Sequence, residues 1–221
     1  MVDTAVKLVI FDWDGTLFNS VDQIVASLLF VAAQYQQPLH PDDAKSIIGL
    51  GLPEVMQRLF PQVPELHQDL LNSYAAHYPQ HSQQDQWFDG VAELLQDLDQ
   101  RGVLLAVATG KSRRGLDRVL AHTQSQDLFA VTRAASETKS KPDPLMLQEI
   151  LAETGCHAQQ AILVGDTSYD LEMARNISMP RIGVSYGVHD VATLAQYQPL
   201  AIVDSIAQLH QTLLSRIHAL C

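Results

Sequence analysis

Basic side chains are scarce in this 221-residue chain: 14 lysines and arginines stand against 25 aspartates and glutamates, a formal net charge of -11. That balance excludes a general nucleic-acid binder, because no basic excess is left to neutralise a phosphate backbone. It leaves room for a small anionic substrate, provided a metal ion or a few local cations reverse the field in one cleft. Cysteine is nearly absent. Cys156 lies beside a predicted helix end and Cys221 is the last residue, so the pair reads as two free thiols in a reducing cytosol rather than a disulfide. The neighbours Cys156 and His157 do not read as nucleophile and base, since adjacent residues on a chain rarely face each other. The first residues, MVDTAVKLVIFD, lack a basic region ahead of a long apolar stretch, so no signal peptide is expected. No window approaches about 18 consecutive apolar residues, and no membrane span is expected either. The expectation is a cytoplasmic protein.

What is present suits a globular chain: 47% of residues are hydrophobic and 18% charged, and the length can bury a proper core. Leu8 to Phe11 is a short apolar run rich in strand formers and reads as a strand buried on both faces. After Ser20 the pattern turns helical, punctuated by Pro38, Pro41, Pro53, Pro61 and Pro64. The glutamine-rich stretch from His81 to Gln86 reads as a linker. From Trp87 onward, strand and helix patterns alternate, which is the signature of a doubly wound parallel sheet. The predicted architecture is a Rossmann-like α/β core of residues 1–17 and 88–221, with an α-helical cap domain, residues 18–87, inserted after the first strand.

In such sheets ligands sit at the carboxyl ends of strands, near the point where strand order reverses. Three predicted strands end in chemistry: VIF runs into Asp12, LLAVA into Thr109 and AILVG into Asp166. Asp12 and Asp14 alternate to one side of an extended backbone, while Asp166 and Asp170 are spaced to share one helical turn. Carboxylates converging in this way repel one another unless a cation compensates. An all-oxygen set suits Mg²⁺, and no His/Cys grouping has the spacing of structural zinc. Thr109 and Gly110 offer a hydroxyl and backbone N–H groups to a phosphoryl oxygen where a strand gives way to a helix; Lys111 follows directly, and Arg113 and Arg114 either help or read as a solvated first turn. In KSKPDP, Lys139 and Lys141 lie on a segment stiffened by Pro142 and Pro144, with Asp143 capping the next helix and Pro144 at its first position.

The set DWDGT…ATGK…KPDP…GDTSYD resembles the haloacid dehalogenase-like hydrolase superfamily, and within it the phosphoglycolate phosphatase-like branch with a helical cap. All four motifs occur in order and span nearly the whole chain. The resemblance implies a Mg²⁺-dependent phosphatase of a small phosphomonoester, of the phosphoglycolate or sugar-phosphate kind. Asp12 would be the nucleophile that forms an aspartyl-phosphate, and Asp14 the acid and then the base, its backbone carbonyl also facing the metal. Asp166 would ligate the metal, supported by Asp170. Thr109 and Lys141, rather than Lys139, would hold the phosphoryl group. Three departures from the family pattern stand out: Trp13 in place of Leu or Phe, Asn19 in place of an aspartate, and Gly110 in place of the asparagine of TNK.

The resemblance makes the insert a cap that closes over the cleft. Gly49, Gly51 and Pro53 either aim backbone N–H groups at an anionic substrate or form an ordinary helix corner. Arg58 either recognises a substrate carboxylate or lies on the surface, and His40, His67, His77 and His81 read as solvated. The implied partner is a small phosphorylated metabolite, with neither nucleic acid nor membrane, for a monomer or homodimer. The alternative enzyme is a phosphosugar mutase of the β-phosphoglucomutase type, against which Thr16 of DGTL argues. A dehalogenase would need no acid at position 14. A phosphate-binding or receiver-like protein is the non-catalytic alternative; a receiver would lack the long insert, and its acceptor and acidic pair would lie on different strands.

Overall fold

A computed structural model describes residues 5–82 and 86–217. The first strand, β1 (Leu8–Phe11), is followed by four helices: α1 (Val21–Gln34), α2 (Pro41–Ser46), α3 (Leu52–Leu59) and α4 (His67–His81). Helix and strand then alternate: α5 (Val91–Gln100), β2 (Leu104–Thr109), α6 (Arg113–Thr123), β3 (Val131–Ala134), α7 (Leu145–Thr154), β4 (Ala161–Gly165), α8 (Ser168–Arg175) and β5 (Arg181–Val184). A short helix α9 (Val191–Ala195), not among the expected elements, precedes β6 (Ala201–Val203) and α10 (Ile206–Leu214). Cys221 and residues 83–85 of the expected linker lie outside the described residues.

All six strands are parallel and run in the order β3-β2-β1-β4-β5-β6. The doubly wound sheet expected from the alternation is therefore present, and its order reverses around β1, with β2 on one side and β4 on the other. Period-two alternation decides what each face packs against. Val9 and Phe11 join Val107, Ile162 and Val164 in a core covered by α5, α6 and α10. Leu8 and Ile10 point the other way, with Leu163, onto α7 and α8. Every β1 side chain is buried, which is why LVIF is a continuous apolar run rather than an alternating one.

The four helices between β1 and α5 share a separate apolar cluster built from Leu28, Val31, Met56, Phe60, Leu70 and neighbours. Tyr169 and Val188 of the sheet domain pack against its edge. Trp13 is wholly buried against Phe18, Trp87 and Phe129, with ring centroids 5.7, 4.9 and 6.1 Å away. The larger ring thus serves as core at the root of the helical insertion and turns away from the acidic residues on either side.

Candidate active site

The site lies at the carboxyl ends of β1, β2 and β4. Asp12 follows β1 directly, and its N–H donates to Val164 O at 2.9 Å, tying the residue to the neighbouring strand. The backbone then folds back on itself: the N–H groups of Leu17 and Phe18 donate to Trp13 O, and that of Gly15 to Phe18 O. Gly15 turns with φ +80°, and a Cβ there would collide with the Asp166 carboxylate. The glycine of DGT therefore answers two demands, a left-handed backbone and close approach to an acid 151 residues further on, of which Thr16 donates to Oδ1 at 2.9 Å. The N–H of Val188 donates to Asp166 Oδ2 at 2.8 Å, and a Cβ on Gly187 would collide with the same carboxylate.

Asp170 sits in the first turn of α8, in a reciprocal cap. Its Oδ2 accepts from the Thr167 N–H at 3.2 Å and hydroxyl at 2.5 Å, while its own N–H donates back to Thr167 Oγ1. Lys141 reaches in from the segment between β3 and α7, where the Lys141–Pro142 peptide bond is cis. Its ammonium lies 2.7 Å from Asp12 Oδ1 and 2.6 Å from Asp170 Oδ1, and all three side chains are buried. Lys139 is exposed and pairs with Asp143 at 3.2 Å, so only Lys141 reaches the acids. The helix after it starts one residue later than expected: Asp143 accepts from the Leu145 N–H, and Pro144 is the residue before the first turn.

Carboxylate oxygens of Asp12, Asp166 and Asp170 lie within 4.8 Å of one another. Burial pushes the Asp12 carboxyl well above its ordinary range, and repulsion from Asp170 and Asp166 adds to this against the pull of Lys141. Burial, then Asp170, raises Asp166 to about 7. Burial would lower the Lys141 ammonium, but Asp12 and Asp170 outweigh it and hold the ammonium above its ordinary value. One ammonium against three carboxylates leaves the cluster short of positive charge, and Asp12 Oδ2 is buried with no hydrogen-bond partner. An orphaned acceptor in an all-oxygen, over-acidic cage fits a hard divalent cation.

A pH signature follows for the metal-free protein. A raised folded pKa means that the folded state gives up stability as pH climbs from the unfolded aspartate value, roughly 3.9, to about 7. Asp166→Asn removes that dependence. The difference in thermal midpoint, variant minus wild type in chelator, is expected to grow steadily between pH 4 and 7.5 and then level off. A difference independent of pH would show that Asp166 ionises as in solvent.

The Asp14 carboxylate does not join the cluster, contrary to the expected convergence of four acids. Residues 12–14 leave the strand and enter the turn, so Asp14 Oδ1 accepts from the Ser20 hydroxyl at 2.5 Å and pairs with the Lys111 ammonium at 2.8 Å. Thr109 ends β2 fully buried, its hydroxyl accepting from the Lys111 N–H at 3.3 Å. The helix after it opens at Arg113, capped by Ser112 on the Gly115 N–H. Arg113 is only partly solvated, because it braces β3 through Glu137 at 2.7 Å and Thr132, whereas Arg114 is exposed.

In the insertion, Arg58 is turned away from the acids. It pairs with Glu54 at 2.6 Å, lies 5.6 Å from the Tyr169 ring and lines a separate depression beside His40 and Asp43. The Gly51 N–H is not free for an anion, because it donates to Ser140 Oγ at 2.9 Å. Gly49, at φ +103°, packs on Thr167 and Tyr169, whose hydroxyl donates to Ser46 O at 3.1 Å. Among the histidines, His67 reaches Phe60 O at 2.8 Å, and His77 stacks on Phe30 and His81, so neither is simply solvated.

Gly110 acquires a physical reason. A Cβ there would sit 2.5 Å from Gly49 O and 2.6 Å from Leu50 O, so the backbones of the insertion and the sheet domain touch at this point. Gly110→Asn, which restores the common family residue, must push the 49–50 segment away. Misplacement on the ångström scale can cost about 10²-fold; we expect kcat/KM to fall at least tenfold, with faster amide exchange at residues 47–51. Unchanged kinetics would show that the segment yields freely.

Sequence reasoning missed Ser20, Thr167, Gly187 and Val188. The Thr-x-x-Asp spacing at 167–170 was available as a capping signal; nothing local marked the other three.

The family model for haloacid dehalogenase-like hydrolases matches residues 9–184, which contain every acid of the cluster together with Thr109 and Lys141. The chain belongs to the haloacid dehalogenase-like hydrolases. This hydrolase is 31% identical to the phosphoglycolate phosphatase of Agrobacterium fabrum, over 95% of the chain and 93% of the relative. It is 27% identical to the pyrophosphatase PpaX of Halalkalibacterium halodurans, over 92% and 95% respectively. Among solved structures, a predicted phosphatase from Clostridium acetobutylicum superposes with a TM-score of 0.86 at 24% identity, covering 96% of this chain and 99% of that one.

Proposed function

We propose that the hydrolase is a Mg²⁺-dependent phosphatase of a small phosphorylated metabolite in the cytoplasm, with the helices of residues 18–87 as its cap. The observation that carries this reading is the buried triad of Asp12, Asp166 and Asp170 around one lysine, with Asp12 Oδ2 left without a partner. The relatives named for phosphoglycolate and pyrophosphate cleavage agree on phosphoryl chemistry.

Asp12 attacks phosphorus; its new O–P bond forms as the ester P–O bond breaks, and Asp14 gives its proton to the leaving oxygen. Asp14, now a carboxylate, takes a proton from water as that water attacks the aspartyl-phosphate. The Asp12 O–P bond breaks, and inorganic phosphate departs. Lys141 fixes the Asp12 carboxylate and faces the phosphoryl charge, while Thr109 stands at the end of the adjacent strand to donate to a phosphoryl oxygen. The Ser20 hydroxyl and the Lys111 ammonium hold Asp14 in place through both steps. Asp12, Asp166 and Asp170 would hold Mg²⁺, which when bound offsets their repulsion and the phosphoryl charge.

Phosphate release from a panel of phosphomonoesters, each with Mg²⁺ and with excess chelator, tests the reading. Release that needs Mg²⁺ is the expected result. Release undiminished by chelator would remove the metal, and no release from any ester would remove the phosphatase.

A further inference from the structure

A cavity of about 320 Å³ separates the helical insertion from the start of α6 and opens on Asp14. At roughly 30 Å³ per water it has room for about ten, so glycolate, the leaving group of phosphoglycolate, would leave most of it wet. Its two walls differ in chemistry. The insertion supplies apolar surface from Leu28, Ile47, Val55 and Tyr74, and α6 with its approach supplies Lys111, Arg114 and Arg118.

Three cations on one wall are conspicuous in a chain with a net charge of -11. Lys111 is engaged by Asp14. Arg114 and Arg118 are four apart on one helix and share a face. Neither holds a carboxylate among the described residues, whereas Arg113 on the same helix holds two. The Arg118 guanidinium lies 5.6 Å from the centre of the Tyr78 ring, which positions it without neutralising it.

We propose that this cavity selects, as the leaving group, an alcohol with an apolar body larger than glycolate and a second anionic group. This inference rests on the phosphatase reading and names its substrate class. The leaving oxygen faces Asp14, the body displaces water from Leu28, Val55 and Tyr74, and the anion meets the guanidinium forks of Arg114 and Arg118.

Three phosphonates, which cannot be hydrolysed at the C–P bond, test the cavity independently of turnover: phosphonoacetate, benzylphosphonate and 4-carboxybenzylphosphonate. Each is titrated by calorimetry into the protein with Mg²⁺. The carboxybenzyl compound is expected to bind at least tenfold more tightly than either of the others. The double variant Arg114→Gln/Arg118→Gln is expected to reduce its advantage over benzylphosphonate to less than twofold, at an unchanged thermal midpoint. Equal or tighter binding of phosphonoacetate, an advantage that survives the double variant, or no binding of any phosphonate overturns the proposal. Phosphate release from the matching esters separates the two readings. Turnover without preference removes the substrate class and keeps the phosphatase; preference in binding without turnover removes the phosphatase and keeps the cavity.

Discussion

Asp12→Asn is expected to abolish phosphate release, to less than roughly 10⁻⁴ of the wild-type rate, since it removes the proposed covalent nucleophile. The amide keeps the shape of the carboxylate, and its oxygen can still accept from Lys141, now 2.7 Å from Oδ1. Removing one buried negative charge also relieves repulsion from Asp166 and Asp170, so the metal-free variant is not expected to melt earlier than wild type. Two measurements settle the matter: initial rates on the best ester of the panel, and a thermal midpoint in chelator. A folded variant that retains rates within tenfold of wild type sinks the nucleophile assignment.

Asp14→Asn is expected to slow turnover of an alkyl ester by about 10² to 10⁴-fold, the usual contribution of a positioned acid or base. The side chain is held from two directions, by the Ser20 hydroxyl at 2.5 Å and Lys111 at 2.8 Å, and an amide oxygen can accept from both. The loss therefore reports chemistry rather than displacement. Its pattern is diagnostic when the leaving group is varied. With 4-nitrophenyl phosphate, whose leaving oxygen needs no proton, the first step survives better than the second. One equivalent of nitrophenolate is then released in a burst, followed by slow turnover as phosphorylated protein accumulates. Equal losses on activated and alkyl esters, without a burst, would remove Asp14 from both proton transfers.

How much of this was legible before the structure depends on how far each contact reaches along the chain. Asp12, Thr109 and Asp166 could be read because each follows a short apolar run, and a parallel sheet gathers the carboxyl ends of its strands whatever the intervening sequence. The proline-bounded segment offered Lys139 and Lys141 alike, and only the family resemblance singled out Lys141. The separation of Asp14 from the other acids was not legible, because it depends on where the strand ends: only with residues 12–14 all extended would its carboxylate share a side with that of Asp12. The two readings of Arg58 stayed open for a related reason. Periodicity places it on a helix face, but only the packing of α3 decides that this face looks toward Tyr169 and away from Asp14. Gly187 and Val188 lie in a segment without pattern, and their role is visible only once Asp166 is beside them.

The sheet order has a consequence for synthesis of the protein. β1 is the first strand to leave the ribosome, yet it ends in the interior of the sheet, between β2 and β4. Thr16 and its partner Asp166 are 150 residues apart, which at about 5–20 residues per second is a wait of roughly 8–30 s. Until β2 is made the nascent chain carries LVIF with an unpaired backbone, while α1 to α4, whose apolar cluster is mostly local, can already associate. The helical insertion is thus placed to collapse first, while β1, whose side chains pack only within the sheet domain, waits for the strands and helices that enclose it.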